Sequence, residues 1–268
     1  MNAARQPVLY LPHGGGPCFF MEWTMGPADT WERTAHWLRS IEDSLPAPPK
    51  ALLVISAHWE EQVPTVLSSA APPLLFDYYG FPPHTYELTW PAPGAPTLAA
   101  RVRELLGAAG IDAAEDAQRG FDHGVFVPLK VAFPRAQYPT VQLSLQRGLD
   151  PARHVAIGRA LAPLRDEGVL ILGSGMSYHN MRGFGDPASL RYAEQFDRWL
   201  RESVTLEPQA CQQRLVDWSR APAARACHPR EEHLLPLMVV AGAADGERGR
   251  HVFSDHVMDV AISAVQFG

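Results

Sequence analysis

Short apolar runs alternate along the chain with longer stretches in which apolar residues recur every three or four positions. The short runs are aliphatic or β-branched and are bounded by Gly, Pro or polar residues, which is typical of strands. Strands are predicted at 7–12, 51–56, 65–68, 140–145, 169–172 and 257–267. Helices are predicted at 29–45, 95–109, 125–133, 151–167, 187–204 and 231–243. Asp-Pro pairs at Asp150 and Asp186 are typical of capped helix starts.

This alternation indicates an α/β fold with a mostly parallel central sheet flanked by helices. Two strands are apolar throughout, which indicates burial on both faces of the sheet. The segment 257–267 alternates more and is predicted as an edge or antiparallel strand. Because no repeat and no low-complexity linker divides the sequence, we expect a single domain spanning residues 1–268.

The segment 72–96 differs from the rest because it is dense in Pro and aromatic residues. It is predicted to be a long ordered loop rather than a helix. Such loops commonly form a lid or wall over a ligand site, although a surface cover with only a packing role is the alternative.

Composition excludes several classes of protein. With 46% apolar residues, the chain can bury a substantial core and is not disordered. The 23 basic and 29 acidic residues give a net charge of -6, so we expect neither nucleic acid nor an anionic membrane as partner. No apolar run approaches the roughly 18 to 20 residues of a membrane span, and the N-terminus does not resemble a signal peptide. The expected location is the cytoplasm.

Histidine rather than cysteine is the candidate metal ligand. The cysteines form no CxxC pair and are far apart in sequence, at Cys18, Cys211 and Cys227. Among 11 histidines, His13 and His58 follow predicted strands, and His179 follows another after a short Gly/Ser loop. Ligands of open parallel sheets bind outside the carboxyl ends of the strands, so these imidazoles could converge on one metal. Any one of these histidines, taken alone, is more typical of a structural histidine than of a metal ligand.

Two further histidines lie beside carboxylates. His233 follows Glu231 and Glu232 at a predicted helix start, where it could complete the site, while the glutamates could simply favour the helix dipole. The spacing matches neither HExxH nor HxxEH. His123 follows Asp122, which could orient the imidazole or could only cap the next helix.

Other catalytic motifs are absent or incomplete. HGGG at 13–16 is similar to a lipase oxyanion loop, but the sequence has no GxSxG, and GMSYH at 175–179 ends in His where that motif needs Gly. Neither GxGxxG nor a Walker A loop occurs, so a dinucleotide or ATP cofactor is not expected.

Six segments together resemble the LigB superfamily of class III extradiol ring-cleavage dioxygenases, and most of all its DOPA 4,5-dioxygenase branch. In chain order they are LPHGGGP, ISAHWE, FDYYGFPPHTYELTWPAPG, GFDHGVFVPL, LILGSGMSYHN and REEHLLPL. The resemblance covers nearly the whole chain. It implies an α/β domain that opens a catechol ring with O2 at one non-haem metal.

The resemblance also implies a ligand set and a catalytic group. His13, His58 and His233 match the metal ligands, although the protocatechuate branch uses a glutamate as third ligand and Glu232 is adjacent. Oxygen activation implies Fe2+, while three neutral imidazoles would also accept Zn2+. His179 is the expected acid/base and could also touch the metal.

The remaining site residues follow from the same resemblance. His123 is expected beside the ligands, hydrogen-bonding the substrate or oxygen. Candidate substrate contacts in the pocket wall are Tyr78, Tyr79, Phe81 and His84. A cation for a charged substrate is expected from Arg182 or Arg230.

Two alternatives to the dioxygenase remain open at this point. A zinc-dependent hydrolase could use the same histidines with metal-bound water as nucleophile. The second alternative is a non-catalytic module that binds a metal or small ligand, since fold does not fix function. Whether the molecule pairs as a homodimer is also open.

Overall fold

The computed structural model describes residues 4–268, in which one eight-stranded sheet organises the chain. The strands are β1 Val8–Pro12, β2 Ala51–Glu61, β3 Thr65–Leu67, β4 Ala114–Asp116, β5 Thr140–Gln146, β6 Val169–Gly175, β7 Gly249–Val257 and β8 Val260–Phe267. The helices are α1 Glu32–Ser44, α2 Pro96–Ala108, α3 His123–Ala132, α4 Pro151–Leu161, α5 Pro187–Val204, α6 Pro208–Val216, α7 Ala224–Cys227 and α8 Leu235–Ala243.

The strand order is β4-β3-β5-β2-β6-β1-β8-β7. The central strands β5, β2, β6 and β1 run parallel, whereas β8 and β7 add an antiparallel hairpin at one edge. The predicted α/β class with a mostly parallel sheet is therefore confirmed, as is the antiparallel character of the last strand. The hairpin turns at Met258 and Asp259, which both have positive φ, as a tight two-residue turn requires.

Both faces of the sheet are covered by helices. Successive residues of β1 point to opposite sides, so that Val8 belongs to one apolar cluster and Leu9 to the other. Helices α2, α4, α5, α6 and α8 pack on the first face, and α1 and α3 on the second. No described helix has the continuous apolar length that a transmembrane segment needs.

Several element boundaries differ from those predicted. The Asp150 and Asp186 side chains accept hydrogen bonds from Ala152 and Ala188, which confirms both capped starts. Strand β2 extends beyond residue 56, because a register shift between Ile55 and Glu60 lets it continue past the irregularity. The helix predicted at 231–243 begins at residue 235, after a turn. Helices α6 and α7 and strands β4 and β7 were not predicted.

The segment 72–96 is an ordered loop with one short 3-10 helix, Pro83–Glu87. Single bridges tie Leu74 to Phe121 and Gly94 to Thr140, so both ends of the loop are held on the body of the protein. Its aromatic side chains pack against one another and against α3. This architecture places the loop beside the carboxyl ends of the central strands.

Candidate metal centre and cavity

His13 and His58 meet at the carboxyl ends of β1 and β2. His13 is the first residue after β1, and its backbone N–H donates to Gly175 O at the end of the neighbouring strand β6. His58 lies in the irregular part of β2, where the register shift turns side chains out of the regular pleat. Their Nε2 atoms are 3.2 Å apart.

His233 joins them from the turn before α8. Its carbonyl accepts hydrogen bonds from Tyr10 Oη at 2.7 Å and from the Met176 N–H at 3.1 Å, which fix the turn against β1 and the end of β6. The Nε2 atom of His233 is 3.3 Å from that of His58. Three imidazole nitrogens from distant parts of the chain therefore face one region.

These three histidines have the properties of metal ligands. Burial lowers the pKa of His13, His58 and His233 well below the usual value, so all three imidazoles are neutral. Nitrogens bound to one ion at ~2.0–2.1 Å lie roughly 2.8 to 3.4 Å apart at octahedral or tetrahedral angles, and the observed 3.2 and 3.3 Å fall in this range. The donor set fits Fe2+ or Zn2+.

His123 lies against the same cluster. Its ring centroid is 3.9 Å from that of His58, and ligand atoms of His13, His58 and His123 fall within 4.8 Å of one another, so His123 is a second candidate for the third ligand. Asp77 Oδ1 accepts from both the backbone N–H and Nδ1 of His123, at 2.9 and 2.8 Å. Burial alone would raise the pKa of Asp77, but these bonds outweigh it and lower the pKa.

The Asp122 side chain does not cap helix α3, which was one of the two roles predicted for it. Its side chain makes no cap hydrogen bond, although the residue occupies the N-cap position of α3. Instead the buried carboxylate accepts from Ser56 Oγ at 2.7 Å, from Arg119 at 3.1 Å and from Gln142. Burial raises the pKa of Asp122. The network joins β2, β5 and the start of α3 beneath the histidines.

His179 is the fifth imidazole at this end of the sheet, and it stacks on His233 with ring centroids 3.2 Å apart. Glu232 Oε1 lies 3.2 Å from His179 Nδ1 and 2.9 Å from His233 Nδ1, so one carboxylate oxygen serves both rings. Burial would raise the pKa of Glu232, but the hydrogen bond from His179 outweighs it and the pKa is lowered. With Nδ1 directed to the carboxylate, the Nε2 atom of His179 is left for a substrate.

A cavity of about 580 Å³ opens above the cluster and is lined by His13, His58, His123 and His179. Tyr78 and Tyr79 also line it, as does Phe81 from the same loop. Tyr78 Oη donates to Thr85 O at 2.5 Å, so this residue presents its ring rather than its hydroxyl, and burial raises its pKa to about 12. A larger groove of about 920 Å³ lies against α1 and contains none of the clustered histidines.

The other expected substrate contacts lie outside the cavity lining. His84 Nε2 is 3.1 Å from Phe20 O, and Arg182 is an exposed residue of the loop after His179. Arg230 forms two 2.6 Å contacts with the carboxylate of Glu60.

Sequence reasoning did not identify Asp77 or the shared role of Glu232. Asp77 is 46 positions from His123, so no local spacing connects them. Glu232 is adjacent to His233 in the sequence, but only the fold brings His179 to the same oxygen.

The fold and this site define a class of protein: an α/β metalloenzyme with a histidine-bound non-haem ion at the carboxyl ends of its strands. The family model described as the catalytic LigB subunit of aromatic ring-opening dioxygenase matches residues 7–266. The chain belongs to this family. The predicted enzyme class, an extradiol ring-cleavage dioxygenase, is thereby confirmed.

Individual relatives agree with this assignment. The chain is 37% identical to Dioxygenase tasH of Hapsidospora irregularis, over 98% of this chain and 85% of that protein. It is 42% identical to a 4,5-DOPA dioxygenase extradiol of Beta vulgaris, over 75% of each, and 35% identical to one of Escherichia coli K12, over 92% and 88%. A crystal structure of an uncharacterized Escherichia coli K12 protein has a TM-score of 0.78 at 30% identity, covering 98% of this chain and all of that one.

Proposed function

We propose that the protein opens a catechol ring beside its two hydroxyl groups, with O2 as the oxidant and Fe2+ held by His13, His58 and His233. The observation that carries this proposal is the pair of Nε2 separations, 3.2 and 3.3 Å, among three neutral imidazoles, of which those of His13 and His233 are buried and that of His58 is half-buried. His233 is preferred to His123 as third ligand because its Nε2 atom lies 3.3 Å from that of His58, the spacing of two ligands of one ion.

Bound Fe2+ would supply redox chemistry and open coordination positions for both catechol oxygens and O2. In the overall reaction both oxygen atoms enter the product, a ring-opened semialdehyde. The electrons come from the carbon–carbon bond that is cleaved, so no further reductant is needed.

His179 is proposed as the acid/base. It lines the cavity, and Glu232 holds its Nδ1 so that Nε2 can take a proton from a catechol hydroxyl and return it later. His123 is proposed to hydrogen-bond the substrate or oxygen through Nε2, since Asp77 occupies its Nδ1. Tyr78 and Tyr79 are proposed to contact the aromatic ring.

Oxygen uptake by protein loaded anaerobically with Fe2+ tests this proposal. We expect uptake with a catechol, the appearance of a yellow ring-opened product, and no uptake after loading with Zn2+ instead. His179→Ala should lower kcat by ~10²–10⁴-fold without lowering the bound metal content. No uptake with any catechol at verified Fe2+ content would reject the dioxygenase, and hydrolytic turnover by the Zn2+ form without oxygen would favour the hydrolase.

A further inference from the structure

The lining of the cavity above the histidines is apolar apart from the site itself. The lining consists of histidine, tyrosine, glycine, tryptophan, methionine and phenylalanine. Among the residues that the structure describes, no Asp, Glu, Lys or Arg contributes to it. Four methionines contribute, from the loop after the first strand to the β7–β8 turn: Met25, Met176, Met181 and Met258. A cavity of this composition offers dispersion contacts but no countercharge.

Exposure points to the same surface. Three large apolar or aromatic side chains are exposed in residues 4–268, namely Met25, Tyr79 and Met181, with exposed fractions of 54%, 91% and 70%. All three line this one cavity. Exposed apolar side chains that gather at one opening, rather than scattering over the surface, mark a binding site.

The charged groups nearest the cavity are already engaged. Asp77 and Glu232 are paired with His123 and His179, so neither is free for a substrate ammonium, and both would oppose a substrate carboxylate. Arg230 is held by Glu60 and by Glu232. A charged side arm on a substrate would therefore lose hydration on entering this cavity without gaining an ion pair.

The cavity also has room beyond one ring. An engineered protein cavity of ~150 Å³ already accepts benzene, whereas this one measures about 580 Å³. Its lining includes Met258 of the β7–β8 turn, whose carbonyl accepts a 2.7 Å hydrogen bond from the Gly185 N–H.

From this lining we infer that the preferred substrate is a catechol with an uncharged, apolar substituent, rather than a catechol that carries an amino acid or carboxylate arm. The inference rests on the proposed function and gives its substrate class. The specificity-determining residues are Met25, Met181 and Met258, whose flexible side chains surround the substituent.

The test compares catechols that carry hydrogen, methyl, ethyl or propyl at C4 with 3-(3,4-dihydroxyphenyl)propionate and DOPA. We expect kcat/KM to rise about fourfold per buried CH2 along the alkyl series. The propionate, of the same chain length as propylcatechol, should be at least tenfold poorer. A preference for the propionate or DOPA over propylcatechol would overturn the inference while leaving the dioxygenase intact.

A binding measurement separates failure of this inference from failure of the proposed function. Trp23 and Trp31 line the cavity, so quenching of indole fluorescence reports binding to anaerobic, metal-free protein without turnover. Propylcatechol should bind at least tenfold more tightly than the propionate. Equal or reversed affinities would overturn the inference even if oxygen uptake were observed. Absence of uptake with all catechols would reject the proposed function alone.

Adjacent residues offer a charge-matched set of variants. Met181 lines the cavity, whereas Arg182 does not. Met181→Arg, and the double exchange Met181→Arg with Arg182→Met that keeps the net charge, should both raise the propionate-to-propylcatechol ratio of kcat/KM about tenfold. Arg182→Met alone should leave this ratio unchanged. A selective loss of propionate or DOPA turnover in Arg182→Met would instead make Arg182 the anchor of a charged substrate, and unchanged ratios in both Met181 variants would also refute the inference.

Discussion

Replacing Glu232 probes the site most directly, because one of its oxygens contacts two histidines. Oε1 lies 2.9 Å from His233 Nδ1 and 3.2 Å from His179 Nδ1. Its other oxygen lies 3.4 Å from Arg230 Nη1. In Glu232→Gln the amide oxygen can still accept from the histidines, so their acceptor is kept, whereas the charge is lost and the amide nitrogen, a donor, replaces the oxygen that faces Arg230.

The expected effect follows from the two contacts. A hydrogen bond to a charged acceptor is about twice as strong as a neutral one, so losing the charge costs roughly 1 kcal/mol at each histidine. About 2 kcal/mol corresponds to a decrease of about 30-fold in kcat/KM. Glu232→Ala removes the hydrogen bonds to both histidines, at about 1.5 kcal/mol or more each, and should lower kcat/KM by at least about 150-fold.

The assay measures kcat/KM by oxygen uptake with 4-methylcatechol at saturating Fe2+, and Fe2+ affinity by competition with a chelator. If the variant loosens His233, the affinity for Fe2+ should fall, whereas if it loosens His179, kcat should fall. Glu231→Gln is the matched control, since Glu231 pairs with Arg225 at 3.0 Å and is expected to stay within twofold of the wild type.

Two results would refute this reasoning. Glu232→Gln with affinity and kcat both within twofold of the wild type would show that the shared carboxylate does not position the histidines. Complete loss of metal binding in Glu232→Gln, beyond the ~10–100-fold of an outer partner, would make Glu232 itself a ligand.

Three other predictions concern packing, pH and metal. A Cβ at Gly124 would lie 2.7 Å from Ser56 Oγ and 2.9 Å from His58 Cδ2. Gly124→Ala should therefore displace His58 and weaken Fe2+ binding at least about tenfold in the chelator competition, and an affinity near that of the wild type would contradict this prediction. His228 donates to Ser177 O, and burial lowers its pKa from 6.5 to about 4, so the unfolded chain takes up the proton first as pH falls. The contribution of His228 to the free energy of unfolding is complete above about pH 6.5 and is lost towards pH 4, with about 2 kcal/mol gone at pH 5. His13, His58 and His233 add losses of the same sign in metal-free protein, so urea unfolding of His228→Gln should show a loss between pH 7 and pH 5 that is about 2 kcal/mol smaller than that of the wild type, and equal losses would contradict the assignment. Zn2+ at one hundred times its Kd should raise the free energy of unfolding by about 3 kcal/mol, and removal of the metal with a chelator should reverse this effect. A thermal midpoint that does not change with metal would contradict the proposed metal site.

Local pattern was sufficient for the elements that carry their own signal. Helix α5 begins and ends where periodicity and the Asp186 cap predict, because a long amphipathic stretch with a cap is defined by its own residues. Helices α6 and α7 were not predicted, because they are short and much of what orders them is packing against α5 and α8.

The convergence of His13 and His58 was also accessible from the sequence. Residues just beyond parallel strands share one edge of the sheet whatever the strand order, so a histidine after each strand predicts a site there. The side chains that orient the ligands were not accessible in this way. Asp77 reaches His123 from a loop without regular structure, and Glu232 reaches His179 only because the turn before α8 docks on the ends of β1 and β6.

The α/β class and the meeting of His13 and His58 at one edge of the sheet therefore follow from the sequence, since they depend on periodicity and on residues next to strand ends. The pairing of each carboxylate with its imidazole, and a cavity wall that carries methionines but no countercharge, become apparent only from the folded molecule. Those features depend on contacts between residues distant along the chain, such as Met25 and Met258, and no local spacing encodes such contacts.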